Sequence, residues 1–165
     1  MPQEFNMKEA IKTAVQTEKD VMDFYSRAAQ ITQNERGRKV FEQLAKEEKE
    51  HCSHFFKIYP GNDLGSFEQY IQSPPRKESA MLRNLEKALD ENVHERRAME
   101  IALKEEEDLA RVLEGTATNI IDPAVRTVFD RMAKETRDHF AVIESEYARL
   151  MGMVHETDID TYVRE

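Results

Sequence analysis

Five residues of this chain have metal-binding side chains at positions where a helix would bury an apolar one: Glu18, Glu48, His51, Glu106 and His139. Each stands in phase with an apolar seam of helical period. Along Phe41, Leu44, Glu48, His51 and Phe55 the seam turns polar at two successive inward positions. Glu18 falls between Ala14/Val15 and Val21/Met22, Glu106 between Ala102/Leu103 and Leu109/Ala110, and His139 between Met132 and Ile143. A buried carboxylate without a partner costs several kcal/mol, and carboxylates that face one another repel and titrate higher. Divalent cations placed among them remove both penalties. Glu48 and His51, spaced i and i+3, share one helical face and can offer a carboxylate and an imidazole to the same ion. Oxygen and nitrogen donors without thiolates suit iron or manganese, and zinc would also fit.

Taken singly, these residues carry little weight. Glu47-Glu48-Lys49-Glu50 reads as a charge run of the kind that coats a solvated face, and a lone histidine on a helix is seldom a ligand. The combination carries the reading: five polar residues on four helices, all in phase with the seam. Other residues keep the plainer role. His54 belongs beside the site or at the surface, His94 and His155 at the surface, Cys52 in the core as a small buried residue, and the eight methionines in the core as filler.

Four long helical segments must position the set. Apolar periodicity places them at about residues 6–32, 35–59, 90–114 and 122–152. Pro60-Gly61-Asn62 ends the second. Gly115 stands where a cap would close the third. Asp122-Pro123 is an N-cap followed by proline at the first helical position of the fourth. Short connections make antiparallel hairpins of the first and second helices and of the third and fourth. Between the hairpins, residues 60–89 form a long crossover with two short helical candidates, 65–72 and 78–89, on either side of Ser73-Pro74-Pro75. The expected fold is all-α: a ferritin-like four-helix bundle over residues 1–152, built of two antiparallel hairpins with a long crossover, followed by a polar tail at 153–165.

The hairpins repeat one another. An ungapped offset of 88 residues pairs Ala14 with Ala102, Glu18 with Glu106, Phe41 with Phe129, Glu47 with Glu135 and His51 with His139. Amphipathic helices in phase match apolar positions at any such offset, but not glutamate and histidine in one register.

Composition agrees. The 165 residues include only five Gly and five Pro, too few for the turns of a sheet-rich fold. The net charge of -9 argues against a nucleic-acid partner. One cysteine cannot form an internal disulfide or a four-cysteine site. No apolar run reaches the length of a membrane span, and the first residues lack a signal-peptide pattern, so a cytoplasmic location is expected.

The residues 14–20 (Ala-Val-Gln-Thr-Glu-Lys-Asp) with Phe24-Tyr25, the stretch 44–51 ending in Glu48-x-x-His51, and the stretch 102–108 around Glu106 together resemble the rubrerythrin-like family over about residues 7–150. The resemblance implies a ferritin-like bundle with a non-haem di-iron centre, linked to peroxide reduction or iron oxidation. It implies Glu18, Glu48, His51, Glu106 and His139 as ligands, a homodimer, and an electron donor supplied by a separate protein, because the rubredoxin-type domain of full rubrerythrins needs four cysteines. Two positions depart from the family pattern. Thr136 stands where a bridging carboxylate belongs, with Glu135 on roughly the same face as a weaker candidate ligand. Leu109 stands where the third helix would carry a further carboxylate. The expected centre is therefore asymmetric, stronger at Glu18, Glu48 and His51 than at Glu106 and His139. Two further readings stay open: an iron-binding or iron-handling protein without turnover, and a helical interaction module with a degenerate metal site. Tyr25, two turns beyond Glu18, either orients a bound oxygen species or is a core tyrosine.

Overall fold

The computed structural model describes residues 5–89 and 94–159, and side chains at 5–88 and 95–152. Among the described residues six helices follow in order: α1 Met7–Ile31, α2 Glu35–Ile58, α3 Phe67–Gln72, α4 Ala80–Leu89, α5 His94–Ala117 and α6 Pro123–Ile159. There is no strand among the described residues. The architecture is the expected all-α, ferritin-like bundle: α1 packs along α2, α5 along α6, and α3 and α4 lie in the crossover.

Side-chain caps start α1, α2 and α6. Asn6 Oδ1 accepts from Glu9 N and Asn34 Oδ1 from Gly37 N, while Asp122 Oδ1 accepts from Ala124 N and Val125 N. The capping box of the crossover is equally local. Gly65 takes the left-handed φ of 74° that turns the chain into Ser66, whose hydroxyl accepts from Gln69 N while Gln69 Oε1 accepts from Ser66 N.

Two glycines do not end helices as expected. Gly115 lies inside α5, which runs to Ala117. Its carbonyl accepts from Thr118 Oγ1 and Asn119 Nδ2, so those side chains supply the termination. Gly152 is likewise inside α6, whose backbone continues to Ile159. Residues 90–93, expected in the third helix, and 160–165 of the tail lie outside the described residues, as do the side chains of His94 and His155.

The crossover is laid along one edge of α1. Lys12 pairs with Asp63, Lys19 donates to the Ser73 carbonyl, Asp20 accepts from Arg76, and Arg27 pairs with Glu86. Partners on both strands of this ladder advance together, so the crossover runs parallel to α1 and delivers α5 to its far end. Across the bundle, Arg36 meets Glu146 and His51 meets Glu135, which makes α2 and α6 antiparallel. Every long helix thus has antiparallel neighbours.

The core forms layers above and below mid-height. Phe55 and Phe129 meet edge to face at 4.9 Å in one layer, and Tyr25 stacks on Phe41 at 6.2 Å in the other. Val112 and Val142 are 58% and 48% exposed although each adjoins the apolar seam of its helix. Their successors Leu113 and Ile143 take the inward positions instead, one residue being a turn of about 100° on a helix.

Candidate metal centre

Between these apolar layers the seam residues converge. Glu18 from α1, Glu48 and His51 from α2, Glu106 from α5 and His139 from α6 are all buried, as is Thr136. The two imidazoles stack nearly parallel with centroids 4.8 Å apart. His51 Nδ1 lies 3.7 Å from Glu18 Oε2 and 3.6 Å from Glu48 Oε2. His139 Nδ1 lies 2.9 Å from Glu48 Oε1 and 3.8 Å from Glu106 Oε1. Glu48 therefore stands between the two histidines, one oxygen toward each. One donor atom each from Glu48, His51 and His139 falls within 4.8 Å of the others.

Each ring turns its Nε2 outward to a glutamate of the opposite hairpin. Glu135 of α6 meets His51 Nε2 at 2.9 Å, and Glu47 of α2 meets His139 Nε2 at 2.8 Å. These glutamates are repeat partners, and the two contacts cross over between the hairpins. Glu135, counted from sequence among the inward donors, thus reaches the far side of the His51 ring and is one-third exposed. Sequence reading assigned Glu47 to the solvated charge run. Its repeat relation to Glu135 is the signal that links the two. A carboxylate on the outer nitrogen fixes an imidazole's tautomer and orientation.

Tyr25 is part of the site. Its hydroxyl donates to Glu106 Oε1 at 2.5 Å. Burial first, then the negative charge of Glu106, pushes its pKa well above the ordinary phenol value, so it remains a donor. Thr136 donates to the Met132 carbonyl at 2.7 Å, one turn back in its own helix. Leu109 is buried and lines an apolar cleft between α1 and α5. His54 is half-buried, and burial followed by the Arg131 charge lowers its pKa. Cys52 is fully buried, as expected, and burial pushes its thiol up to about 12.

Electrostatics set the demands of the centre. Burial, then repulsion by Glu48, holds the Glu18 carboxyl well above its usual range. Burial and Glu106 oppose the Glu48 carboxylate too, yet its contacts with Glu18, His139 and His51 bring it below the ordinary value. Burial disfavours both imidazoliums. The adjacent carboxylates outweigh it and push His51 up to about 11 and His139 up to about 10. Without a cation, protons on the histidines balance the carboxylates. A metal ion would displace such protons, since it needs a free imidazole lone pair.

The residues fit a bound cation by a direct criterion. Five buried atoms here have no hydrogen-bond partner among the described residues: Glu18 Oε1 and Oε2, Glu48 Oε2, His51 Nδ1 and Glu106 Oε2. Buried polar atoms are rarely left unpaired, because the loss costs about 1–3 kcal/mol each. Converged orphan oxygens and an orphan ring nitrogen are the donor set of a hard or borderline cation.

A helical bundle that buries glutamate and histidine from all four long helices at one level is a carboxylate–histidine protein of ferritin-like architecture. The rubrerythrin family model matches residues 9–151, and the chain belongs to the rubrerythrin family. No curated protein and no solved structure matches it.

Proposed function

We propose that this protein binds iron at the Glu18–Glu48–His51–Glu106–His139 cluster and serves as an oxidoreductase of rubrerythrin type acting on peroxide or oxygen, or oxidising iron. The observation that carries the reading is the group of five buried, unpartnered donor atoms at one level of the core. Manganese or zinc would satisfy the same donors. Iron bound there would supply one-electron redox chemistry. The chain's own residues hold and insulate it: Glu18, Glu48 and His51 offer donors, and Glu135 and Glu47 keep the rings turned inward from Nε2. Tyr25 holds Glu106 and offers a hydroxyl beside the carboxylates, while Phe41, Phe55 and Phe129 keep water from the core. An electron donor would come from a separate protein, since one cysteine supplies no four-cysteine centre in this chain.

A second reading, iron binding without turnover, is favoured by Thr136 and Leu109. These stand where the family pattern places carboxylates that would follow a change in metal charge. Anaerobic purification, elemental analysis and mixing with peroxide separate the readings. The oxidoreductase reading expects bound iron that peroxide oxidises within seconds. Iron that binds and stays ferrous selects the second reading, and a chain that takes up no metal leaves only a helical interaction module.

A further inference from the structure

We propose that Gln43 and Arg131 are positioning residues for the metal centre. Each grips the glutamate that meets the outer nitrogen of one imidazole, and the two relays together keep His51 and His139 stacked with Nδ1 toward Glu48. The proposal rests on the metal-binding reading above and adds to it the surface residues that aim its imidazoles.

One donor atom from each of Glu48, His51 and His139 lies within 4.8 Å of the others, so an ion shared by this group needs both rings held in one orientation. The rings stand 8° from parallel. The torsion that turns an imidazole has a broad well, and a partner on the outer nitrogen narrows it. Glu135 is that partner for His51 and Glu47 for His139. Their side chains are 34% and 38% exposed. A long, rotamer-rich side chain at a surface holds a ring only if it is itself held.

The second hold comes from one turn back in the same helix. Gln43 Nε2 donates to Glu47 Oε1 at 3.1 Å, and Arg131 Nε donates to Glu135 Oε1 at 3.2 Å. In both cases the glutamate accepts through Oε1 from its own helix and meets the ring of the opposite hairpin with Oε2. The offset of 88 residues that pairs the histidines and the glutamates also pairs Gln43 with Arg131. The relay is therefore built twice, as Gln43–Glu47–His139 and as Arg131–Glu135–His51. Spacing alone would not mark it. Arg38–Glu42 and Arg126–Asp130 are another pair of contacts related by the repeat, at 3.8 and 3.9 Å, but their carboxylates are 60% and 61% exposed and stay at the surface. The two relays differ in one respect: a guanidinium ends one and a neutral amide the other.

The test is cobalt(II) binding to the full chain at high salt, read by the visible d–d absorption, which reports affinity and ligand geometry together. Gln43→Leu and Arg131→Met should each weaken binding by about threefold to fivefold, within what an exposed pair can contribute, and should shift the band. Loss of a cation near a bound cation would by charge alone tighten binding, so weakening in Arg131→Met reports position and not charge. Arg131→Lys should restore most of the affinity. Glu47→Ala and Glu135→Ala should weaken binding by about tenfold or more. Gln43→Leu should add nothing to Glu47→Ala, nor Arg131→Met to Glu135→Ala, because each acts through that glutamate. Gln43 and Arg131 are exposed, and circular dichroism of the metal-free variants checks that the bundle is intact. Unchanged affinity and spectrum in either Gln43→Leu or Arg131→Met would overturn the proposal and leave the metal-binding reading standing. So would a full effect of either one in the background that lacks its glutamate. A parent that takes up no cobalt(II) and no ferrous ion would overturn the metal-binding reading itself.

Discussion

His51 and His139 are partners in the repeat, yet their ring nitrogens meet different surroundings. The difference traces to one substitution between the halves: Glu48 is answered by Thr136. With a single carboxylate at the midline, Glu48 must serve both rings, and it approaches His139 to hydrogen-bond distance while standing 3.6 Å from His51. Threonine is neutral and short, and its buried hydroxyl is satisfied within α6. Replacing Thr136 by Glu puts a negative charge into a low-dielectric space, where it attracts a cation strongly. Thr136→Glu should therefore hold more metal than the parent, and peroxide should oxidise its iron faster. Parallel metal titrations measure this. Equal metal content in both proteins would mean that charge at position 136 does not limit occupancy.

At the scale of the elements, the crossover decides which helices can meet. Its anchors recur on one stripe of α1, at Lys12, Lys19, Asp20 and Arg27. Lys19 is nearly fully buried and pairs with Asp23 on the next turn, whose carboxyl burial raises while Lys19 draws it back. The first anchor has a measurable acid dependence. Lys12 foremost, then the Tyr59 hydroxyl, lowers the Asp63 carboxyl to about 2. A depressed carboxylate stabilises the fold above the unfolded value of roughly 3.9 and loses that contribution as pH falls through the folded value. The contact should therefore persist at neutral and mildly acidic pH and open near pH 2. Carbon-detected titration of Asp63 should give a midpoint near 2, moving to the ordinary range in Lys12→Met. Because the pair is exposed, added salt should shrink the difference.

For the molecule as a whole, the centre takes a buried glutamate or histidine from each of α1, α2, α5 and α6. An empty site leaves carboxylates facing one another across both hairpins. A ligand that binds the folded chain alone stabilises it by mass action, about 2.7 kcal/mol at a hundred times its dissociation constant. For a chain of this length that corresponds to roughly 5–10 °C in melting temperature. Scanning calorimetry with manganese(II) should show a rise of that order, reversed by a chelator. An unchanged melting temperature at saturating metal would place the ion outside the core. No helix among the described residues is long and apolar enough to cross a membrane.

The sequence by itself determined the four long helices, the hairpin pairing and the level of the site. Each follows from local chemistry: period, caps, breaks, and polar residues in phase with an apolar seam. The ungapped repeat pairs Glu18 with Glu106 and His51 with His139 without reference to packing. Helix ends past Gly115 and Gly152 were not legible, because what stops a helix is the satisfaction of its last carbonyls, and at Gly115 that came from Thr118 and Asn119. Nor was the role of Glu47 or Glu135, since periodicity assigns a face to a side chain but not the neighbour across it. Only the tertiary structure decided that these two cross between hairpins to the outer nitrogens and that Tyr25 binds Glu106. Those outcomes depend on where one helix's side chains fall in another's frame. That frame is set by the packing of α1, α2, α5 and α6, which no single stretch of sequence contains.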